Sequence, residues 1–539
     1  MLMRGANAVG YTSYPDNVIF QFARLARAAG VDVFRIFDSL NDLENLKVGI
    51  DAVGEAGGVV EAALCYSGDV SDRARTKYTL DYYLDLAHRL VDRGVHVLAI
   101  KDMAGLLKPR AATQLIEALR RDFPQVPLHV HTHDTAGTGV ASMLACAAAG
   151  ADVVDAATDA MAGLTSQPAL GAIVGALRGS DRDTGFDPAA LEEINAYWEQ
   201  ARGLYAPFES GLKSGGADVY VHEMPGGQYT NLRFQAAELG LATRWGAIKR
   251  AYASANRLLG DLIKVTPSSK VVGDLAQFMV QNDLSEDDVR ERAATLSFPQ
   301  SVVQFFQGYL GQPYGGFPEP LRTKVLRGQK TITGRPGASM PPLDLVALEA
   351  DLVKKHGSEV REVDVMSAAL YPQVFDEFQR FQEEFSDVSV LPTRAFLAPL
   401  EIGEEVSFDI ERGKTLVVKL IAVGQVDPLG RREVFFELNG QPRSIHVADK
   451  KANQKVVVRE RATDVPGQVG APMPGAVVDV RTKVGDVVAA GAALVVLSAM
   501  KMETIVGAPL AGKVARLAVA KGDAVAAKDL LVVIEPKTS

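Results

Sequence analysis

Five short runs rich in β-branched residues alternate with amphipathic stretches of helical length between residues 17 and 157, and this rhythm restricts the fold most. The runs are Val31–Phe37, Val59–Cys65, Val95–Ile100, Leu128–His133 and Val153–Ala157. The helical stretches include Asn17–Ala29, Leu80–Arg93, Ala111–Phe123 and Gly139–Gly150. Near-continuous apolar strands separated by helices predict a parallel sheet covered by helices. Units of roughly 25–35 residues match an α/β barrel of the (β/α)8 type, about 250 residues long. A doubly wound sheet is the alternative, but no Gly-x-Gly-x-x-Gly follows an early strand. About six of the eight strands are visible if Leu2–Arg4 ends one. The barrel, taken as residues 1–205, is therefore expected to be truncated at its start.

Residues 466–537 carry an internal duplication. Gly470-Ala471-Pro472-Met473-Pro474-Gly475 returns 37 positions later as Gly507-Ala508-Pro509-Leu510-Ala511-Gly512. The same shift carries Lys483-Val484-Gly485-Asp486 onto Ala520-Lys521-Gly522-Asp523. Two such sets of short β-rich segments predict a small all-β flattened barrel with quasi-two-fold symmetry. Ala499-Met500-Lys501-Met502 lies at the junction of the halves, where a tight hairpin would push Lys501 into water. An exposed lysine is ordinarily a solvated charge. A lysine between two methionines at the symmetric turn of a duplicated domain resembles the attachment site of a biotinyl (biotin carboxyl carrier) domain, of lipoyl-like fold. That resemblance implies covalent biotin on Lys501, and partners that load and unload it.

In a barrel, chemistry belongs at the C-terminal ends of strands. One run finishes His129-Val130-His131-Thr132-His133-Asp134, and strand alternation sets the three histidines on one face. His131 and His133, nearest the top, form a plausible metal pair, whereas His129 lies deeper and reads as structural. Another run ends Ile100-Lys101-Asp102-Met103-Ala104-Gly105. Lys101 has no lone pair for a metal as an ammonium. It can be an ion-pairing residue, a Schiff-base nucleophile or, once carbamylated, an anionic oxygen ligand; the residues alone leave these open.

Arg4-Gly5-Ala6-Asn7, Gly10-Tyr11-Thr12, Phe37-Asp38-Ser39-Leu40-Asn41, Lys101-Asp102-Met103-Ala104-Gly105-Leu106-Leu107 and His131-Thr132-His133-Asp134 together resemble the carboxyltransferase domain of the pyruvate carboxylase family. The resemblance runs through essentially all 539 residues. It implies a divalent metal, Zn or Mn, held by an Asp, by a carbamylated lysine at Lys101, and by His131 and His133. It also implies that Arg4 contacts pyruvate and its enolate, and that Tyr11 lines the same pocket. The family's ligand Asp sits on the first barrel strand, ahead of where this chain starts, and its ATP-dependent biotin carboxylase domain has no counterpart here. Met1 accordingly reads as an internal methionine of a longer parent.

Residues 206–344 read as a helical extension of the carboxyltransferase domain. Within it, Lys264-Val265-Thr266-Pro267-Ser268-Ser269-Lys270 has the form of a helix start, with Pro near N1 and a hydroxyl cap. The resemblance implies more for Thr266: a proton relay between the pyruvate methyl group and biotin, for which an uncharged hydroxyl that donates and accepts is suited. It places Ser269 and Lys270 around a biotin pocket. A Gly- and Pro-rich linker at Gly334–Asp344 precedes the helical stretch Leu345–His356, then strands at Glu405–Glu411, Thr415–Val423 and Glu433–Leu438. Residues 345–462 resemble part of the family's small α+β allosteric and tetramerisation domain, which implies a homotetramer and an acetyl-CoA effector; a plain spacer for the carrier is the alternative.

A formal charge of −9 argues against nucleic acid as a partner, and no apolar run reaches membrane-spanning length. Cys65 and Cys146 sit in apolar runs and read as buried thiols of a cytoplasmic protein. The implied activity is carboxyl transfer from carboxybiotin to pyruvate, giving oxaloacetate. A biotin carboxylase domain or subunit and a biotin protein ligase are the implied partners. The rivals are the α-subunit of a biotin-dependent oxaloacetate decarboxylase or transcarboxylase, a metal-dependent acyl lyase or synthase barrel, and an inactive fragment serving only as biotin carrier or scaffold. Decarboxylases and transcarboxylases of this kind tend to carry Thr-Pro-Thr-Ser-Gln where this chain has Thr266-Pro267-Ser268-Ser269-Lys270. Lys501 argues against the acyl lyase.

Overall fold

The computed structural model describes residues 1–357, 360–427, 429–449, 459–463, 465–499 and 502–536. The chain divides into two compact units, one of residues 1–195, 210–371 and 460–539, the other of residues 196–209 and 372–459.

The first unit begins with six parallel strands in strict chain order: β1 (Leu2–Met3), β2 (Val33–Ile36), β3 (Val59–Cys65), β4 (Val97–Lys101), β5 (Leu128–His131) and β6 (Val153–Val154). A helix follows each: α1 (Asp16–Ala28), α2 (Leu43–Glu55), α3 (Leu80–Val91), α4 (Pro109–Asp122), α5 (Gly139–Ala149) and α6 (Leu170–Leu177). Sequential parallel pairing with a helix in every crossover is the barrel plan. Val60, Ala62, Ala63, Leu64 and Cys65 of β3 are all buried, as a strand covered on both faces requires. The helices start where local chemistry sets them: Asp42 accepts from Glu44 N at 3.0 Å, Thr79 accepts from Tyr82 N at 3.3 Å, and Pro109 opens α4. Both cysteines are buried free thiols.

The strand predicted over Leu128–His133 stops at His131, so alternation aligns only His129 and His131. His133 lies in the loop beyond, where Asp134 N donates to Ser166 O at 2.8 Å and pulls the chain out of the sheet.

The helices Gly226–Glu238, Trp245–Leu258, Ser268–Gln281 and Gln300–Gln307 surround a second apolar core that includes Leu232, Ile248, Tyr252, Leu275 and Phe305. Leu40, from the loop after β2, joins this core and so welds the extension to the barrel. Pro267 is the N-cap of its helix, not N1, and no side chain caps that end. Tyr14 and Tyr371 donate their hydroxyls to Leu370 O at 2.6 Å and Val9 O at 2.5 Å, fixing the loop after β1.

Residues 468–536 form two four-stranded antiparallel sheets. Their strands are β11 (Gln468–Gly470), β12 (Gly475–Val480), β13 (Val487–Val488), β14 (Ala493–Ala499), β15 (Met502–Gly507), β16 (Gly512–Leu517), β17 (Ala524–Val525) and β18 (Leu530–Pro536). The duplication survives in atomic detail. Asp486 accepts from Lys483 N at 2.8 Å and Asp523 from Ala520 N at 2.7 Å, while Gly485 and Gly522 take φ of 100° and 93°. Such left-handed backbone is the reason each turn carries glycine. This small domain also touches the extension, where Asn282 Nδ2 donates to Pro472 O at 3.2 Å.

The second unit contains the helix Pro372–Phe385 and an antiparallel sheet of β7 (Glu405–Glu411), β8 (Lys414–Val426), β9 (Arg431–Leu438) and β10 (Gln441–Ala448). Asn439 and Gly440, both at positive φ, make the two-residue turn between β9 and β10. Among the described residues, no helix is long and apolar enough to cross a membrane.

Candidate active site

A cavity of about 630 Å³ is lined by Arg4, Tyr11, Lys101, Met103, His133, Val265, Thr266, Ser269 and Lys270, with Gln228, Asn231, Phe234 and Gln235 forming one wall. Seven of the residues singled out from the sequence thus meet at one place, although they span positions 4 to 270. A second cavity, of about 300 Å³ beside α6, is lined by residues such as Leu170, Val174, Arg178 and Glu192, and by none of the residues singled out.

Arg4 follows β1. Its Nη1 donates to Gly10 O at 3.1 Å and to Val9 O, and its guanidinium carbon lies 5.4 Å from the Tyr11 ring centre. Its Nε is buried without a hydrogen-bond partner among the described residues. The guanidinium, held on one side by the Val9 and Gly10 carbonyls, brings a permanent positive charge to the cavity wall.

Lys101 ends β4 and is only 6% exposed, with Nζ 5.1 Å from the centre of the Phe37 ring. Burial lowers its pKa, which favours the neutral amine that carbamylation requires. The next residue, Asp102, is a loop builder. Its carboxylate accepts from the backbone N–H groups of Gly105, Leu106 and Leu107 at 2.9–3.0 Å and from Thr132 Oγ1 at 2.6 Å. Gly105, at φ 78°, is the residue this turn demands.

His131 and His133 present their Nε2 atoms to each other at 3.4 Å. Asp155 Oδ2 lies 2.7 Å from His131 Nδ1, and Thr165 O lies 2.6 Å from His133 Nδ1. Those partners place the proton on Nδ1 and leave Nε2 as the lone-pair atom, the usual support of a metal-binding imidazole. Burial pushes the His133 pKa down to about 3, and burial also lowers that of His131. Both rings are neutral near pH 7, as ligation needs. Two imidazole nitrogens beside Lys101 fit a divalent ion. Among the described residues, no cluster of three or more His, Cys, Asp or Glu side chains forms a complete site on its own.

His129 lies within a buried charge network. His129 Nε2 is 2.8 Å from Asp155 Oδ1, and Arg35 pairs with Asp155 at 2.6 Å and with Glu61. Burial alone would raise the Asp155 pKa, but His129, His131 and Arg35 hold its carboxyl well below the usual range. It remains an anion behind His131.

Thr266 is half-buried at the cavity, at the turn that leads into the helix Ser268–Gln281. Lys270 Nζ is held by Asp274 Oδ2 at 2.6 Å, and Ser301 Oγ donates to the same oxygen at 2.5 Å. The amide wall is not among the residues singled out from the sequence. Gln228, Asn231 and Gln235 recur at helical spacing, and that period was the available signal. Lys501 lies outside the described residues; on either side of it, Ala499 of β14 pairs with Met502 of β15.

Residues 19–197 match the family model described as HMGL-like, residues 219–419 the one described as conserved carboxylase domain, and residues 467–534 the one described as biotin-requiring enzyme. The chain is 59% identical over 507 residues to Pyruvate carboxylase 1 of Caenorhabditis elegans, a match covering 94% of this chain and 43% of that protein. It is similar to the solved carboxyl transferase domain of Rhizobium etli pyruvate carboxylase with pyruvate and biocytin, at 52% identity and a TM-score of 0.79, over 84% of this chain and 76% of that one. The complete multifunctional pyruvate carboxylase of the same organism matches at 50% identity and a TM-score of 0.78, over 99% of this chain and 49% of that one. The chain spans less than half the length of the curated relatives it matches.

Proposed function

We propose, because this chain belongs to the pyruvate carboxylase family, that it transfers a carboxyl group to pyruvate and so forms oxaloacetate. The observation that carries the reading is the single cavity shared by Arg4, Tyr11, Lys101, His133 and Thr266. Biotin, attached at Lys501 in the biotinyl domain, would supply the carboxyl group.

Pyruvate must lose a methyl proton before its carbon becomes a nucleophile, and negative charge then develops on its carbonyl oxygen. Arg4 answers the charge: its guanidinium lines the cavity and would set a fixed positive charge beside that oxygen, in a site whose buried walls strengthen the attraction. Tyr11, beside the guanidinium, closes the same side of the pocket. Thr266 answers the proton. Its hydroxyl accepts the methyl proton while giving up its own toward the carrier, so no charge accumulates on the side chain. Ser269 and Lys270, one helical turn further on, form the wall where the carrier group would rest, and Asp274 keeps the Lys270 ammonium oriented.

His131 Nε2, His133 Nε2 and Lys101 after carbamylation would hold a divalent metal, Zn or Mn, which when bound supplies Lewis-acid stabilisation of the same oxygen. The loading partners (a biotin carboxylase domain or subunit and a biotin protein ligase), a homotetramer, an acetyl-CoA effector and a role in anaplerosis and gluconeogenesis rest on family membership, whereas cytoplasmic residence rests on the buried free thiols Cys65 and Cys146. Residues 1–205, 206–344, 345–462 and 466–537 are the proposed functional domains.

The test is oxaloacetate decarboxylation by this chain after treatment with biotin protein ligase, biotin and ATP, with untreated protein and Lys501→Arg alongside. Pyruvate release that needs both biotin loading and Lys501 supports the reading. Equal release from loaded and unloaded protein refutes it.

A further inference from the structure

Thr266 does not belong to the barrel whose mouth it faces; it sits in the extension, on the irregular segment 260–267. A proton carrier on irregular backbone needs something to fix it, and the strongest polar cluster in that segment centres on Lys264. This ammonium is only 2% exposed. It lies 2.9 Å from Glu223 Oε2, and it donates to Leu262 O at 2.8 Å and to Ser67 Oγ at 3.2 Å. The two outer partners come from elsewhere. Ser67 is in the loop after β3, where its backbone bonds the Tyr83 hydroxyl of α3 in both directions, at 2.8 and 3.0 Å. Glu223 precedes the amide-lined helix and is itself gripped by Arg75 at 2.9 Å.

Second ties converge on the same segment. Lys77 donates to Asp261 O at 3.0 Å, and Tyr78 donates to it at 2.8 Å. The Ser268 hydroxyl accepts from Val265 N at 3.1 Å and approaches Ser39 O, in the loop after β2, at 3.0 Å. Thr266 therefore has Lys264 two residues before it and Ser268 two residues after it, each bonded back to a barrel loop. A buried ion pair adds little net stability over well-packed apolar side chains. What Lys264 does provide is a fixed geometry in three directions.

We infer that Lys264 is a positioning residue for Thr266: its buried ammonium, locked between Glu223 and Ser67, registers the extension against the barrel so that the Thr266 hydroxyl stands over the pyruvate site. The inference rests on the proposed role of Thr266.

The experiment measures steady-state oxaloacetate decarboxylation by the biotin-loaded full chain, together with hydrogen–deuterium exchange of the pyruvate methyl group, for Lys264→Met, Glu223→Gln and Thr266→Ala. A misplacement of about 1 Å can cost on the order of 10²-fold in rate, so Lys264→Met is expected to lower kcat and methyl exchange about that far while KM for oxaloacetate stays near wild type. A folded Lys264→Met protein with wild-type kcat, or one whose loss lies in KM, overturns the inference. If Lys264→Met shows no cooperative melting, Glu223→Gln carries the test, with the same kcat-only loss expected and wild-type kcat again contradicting it. Full activity in Thr266→Ala would refute the role of Thr266 itself, an outcome distinct from normal turnover in the Lys264 and Glu223 variants beside an inactive Thr266→Ala.

Discussion

His131 and His133 face each other through their Nε2 atoms at 3.4 Å, while each Nδ1 is bonded on the far side, to Asp155 and to the Thr165 carbonyl. Two neutral imidazoles with converging lone pairs repel, so only the surrounding structure keeps them this close, and their supports are as informative as the rings.

Asp155→Asn is the direct test of those supports. Removing a carboxylate that orients a ligating histidine costs about 10–100-fold in metal affinity. Isothermal calorimetry of metal-stripped protein with Zn or Mn should show a loss of that size. Unchanged affinity would mean that His131 is not a ligand.

Gly226→Ala attacks the other histidine without touching it. A Cβ at Gly226 would stand 2.5 Å from His133 Nδ1 and 2.6 Å from Thr165 O, at the bond that orients the ring. The added methyl is expected to destabilise the protein by about 1–3 kcal/mol and to weaken metal binding as His133 is displaced. Thermal melting and calorimetry check the two effects separately.

His222 yields a pH dependence away from the active site. It is buried, its Nδ1 accepts from Met224 N at 3.0 Å, and its Nε2 has no hydrogen-bond partner among the described residues. Burial pushes its pKa down to about 4. The unfolded chain, with an ordinary histidine pKa of about 6.5, takes up the proton first, so the stability due to neutral His222 is complete above that pH and is lost as pH falls toward 4. Urea denaturation between pH 7 and 5 should therefore be more pH-sensitive in wild type than in His222→Gln, by up to about 1.4 kcal/mol per pH unit. Equal pH slopes would contradict the assignment.

The barrel was legible because Val59–Cys65 and its sister runs are apolar on both faces and recur with helices between them, and the carrier domain because its duplication repeats turn residues as well as apolar ones. His133 was misplaced on β5 because a strand's end is set by its neighbours, here the Ser166 carbonyl that captures Asp134 N. Asp102 reads in sequence as a polar residue at a strand end; only the converging N–H groups of Gly105, Leu106 and Leu107 show that it builds a loop. The wall of Gln228, Asn231 and Gln235 had a helical period, but amides at that spacing also occur on solvated faces. Lys264 gave no sign at all, since a lysine two residues before a Thr-Pro looks like any surface charge until its burial against Glu223 and Ser67 is seen.

The central claim is that Thr266 carries the proton in carboxyl transfer, and its most direct measurement is the rate of biotin-dependent oxaloacetate decarboxylation by loaded Thr266→Ala. Loss of a positioned acid–base group costs about 10²–10⁴-fold. A drop of that size, with biotin still attached to the protein, is the predicted result; a wild-type rate from the loaded variant would contradict the account.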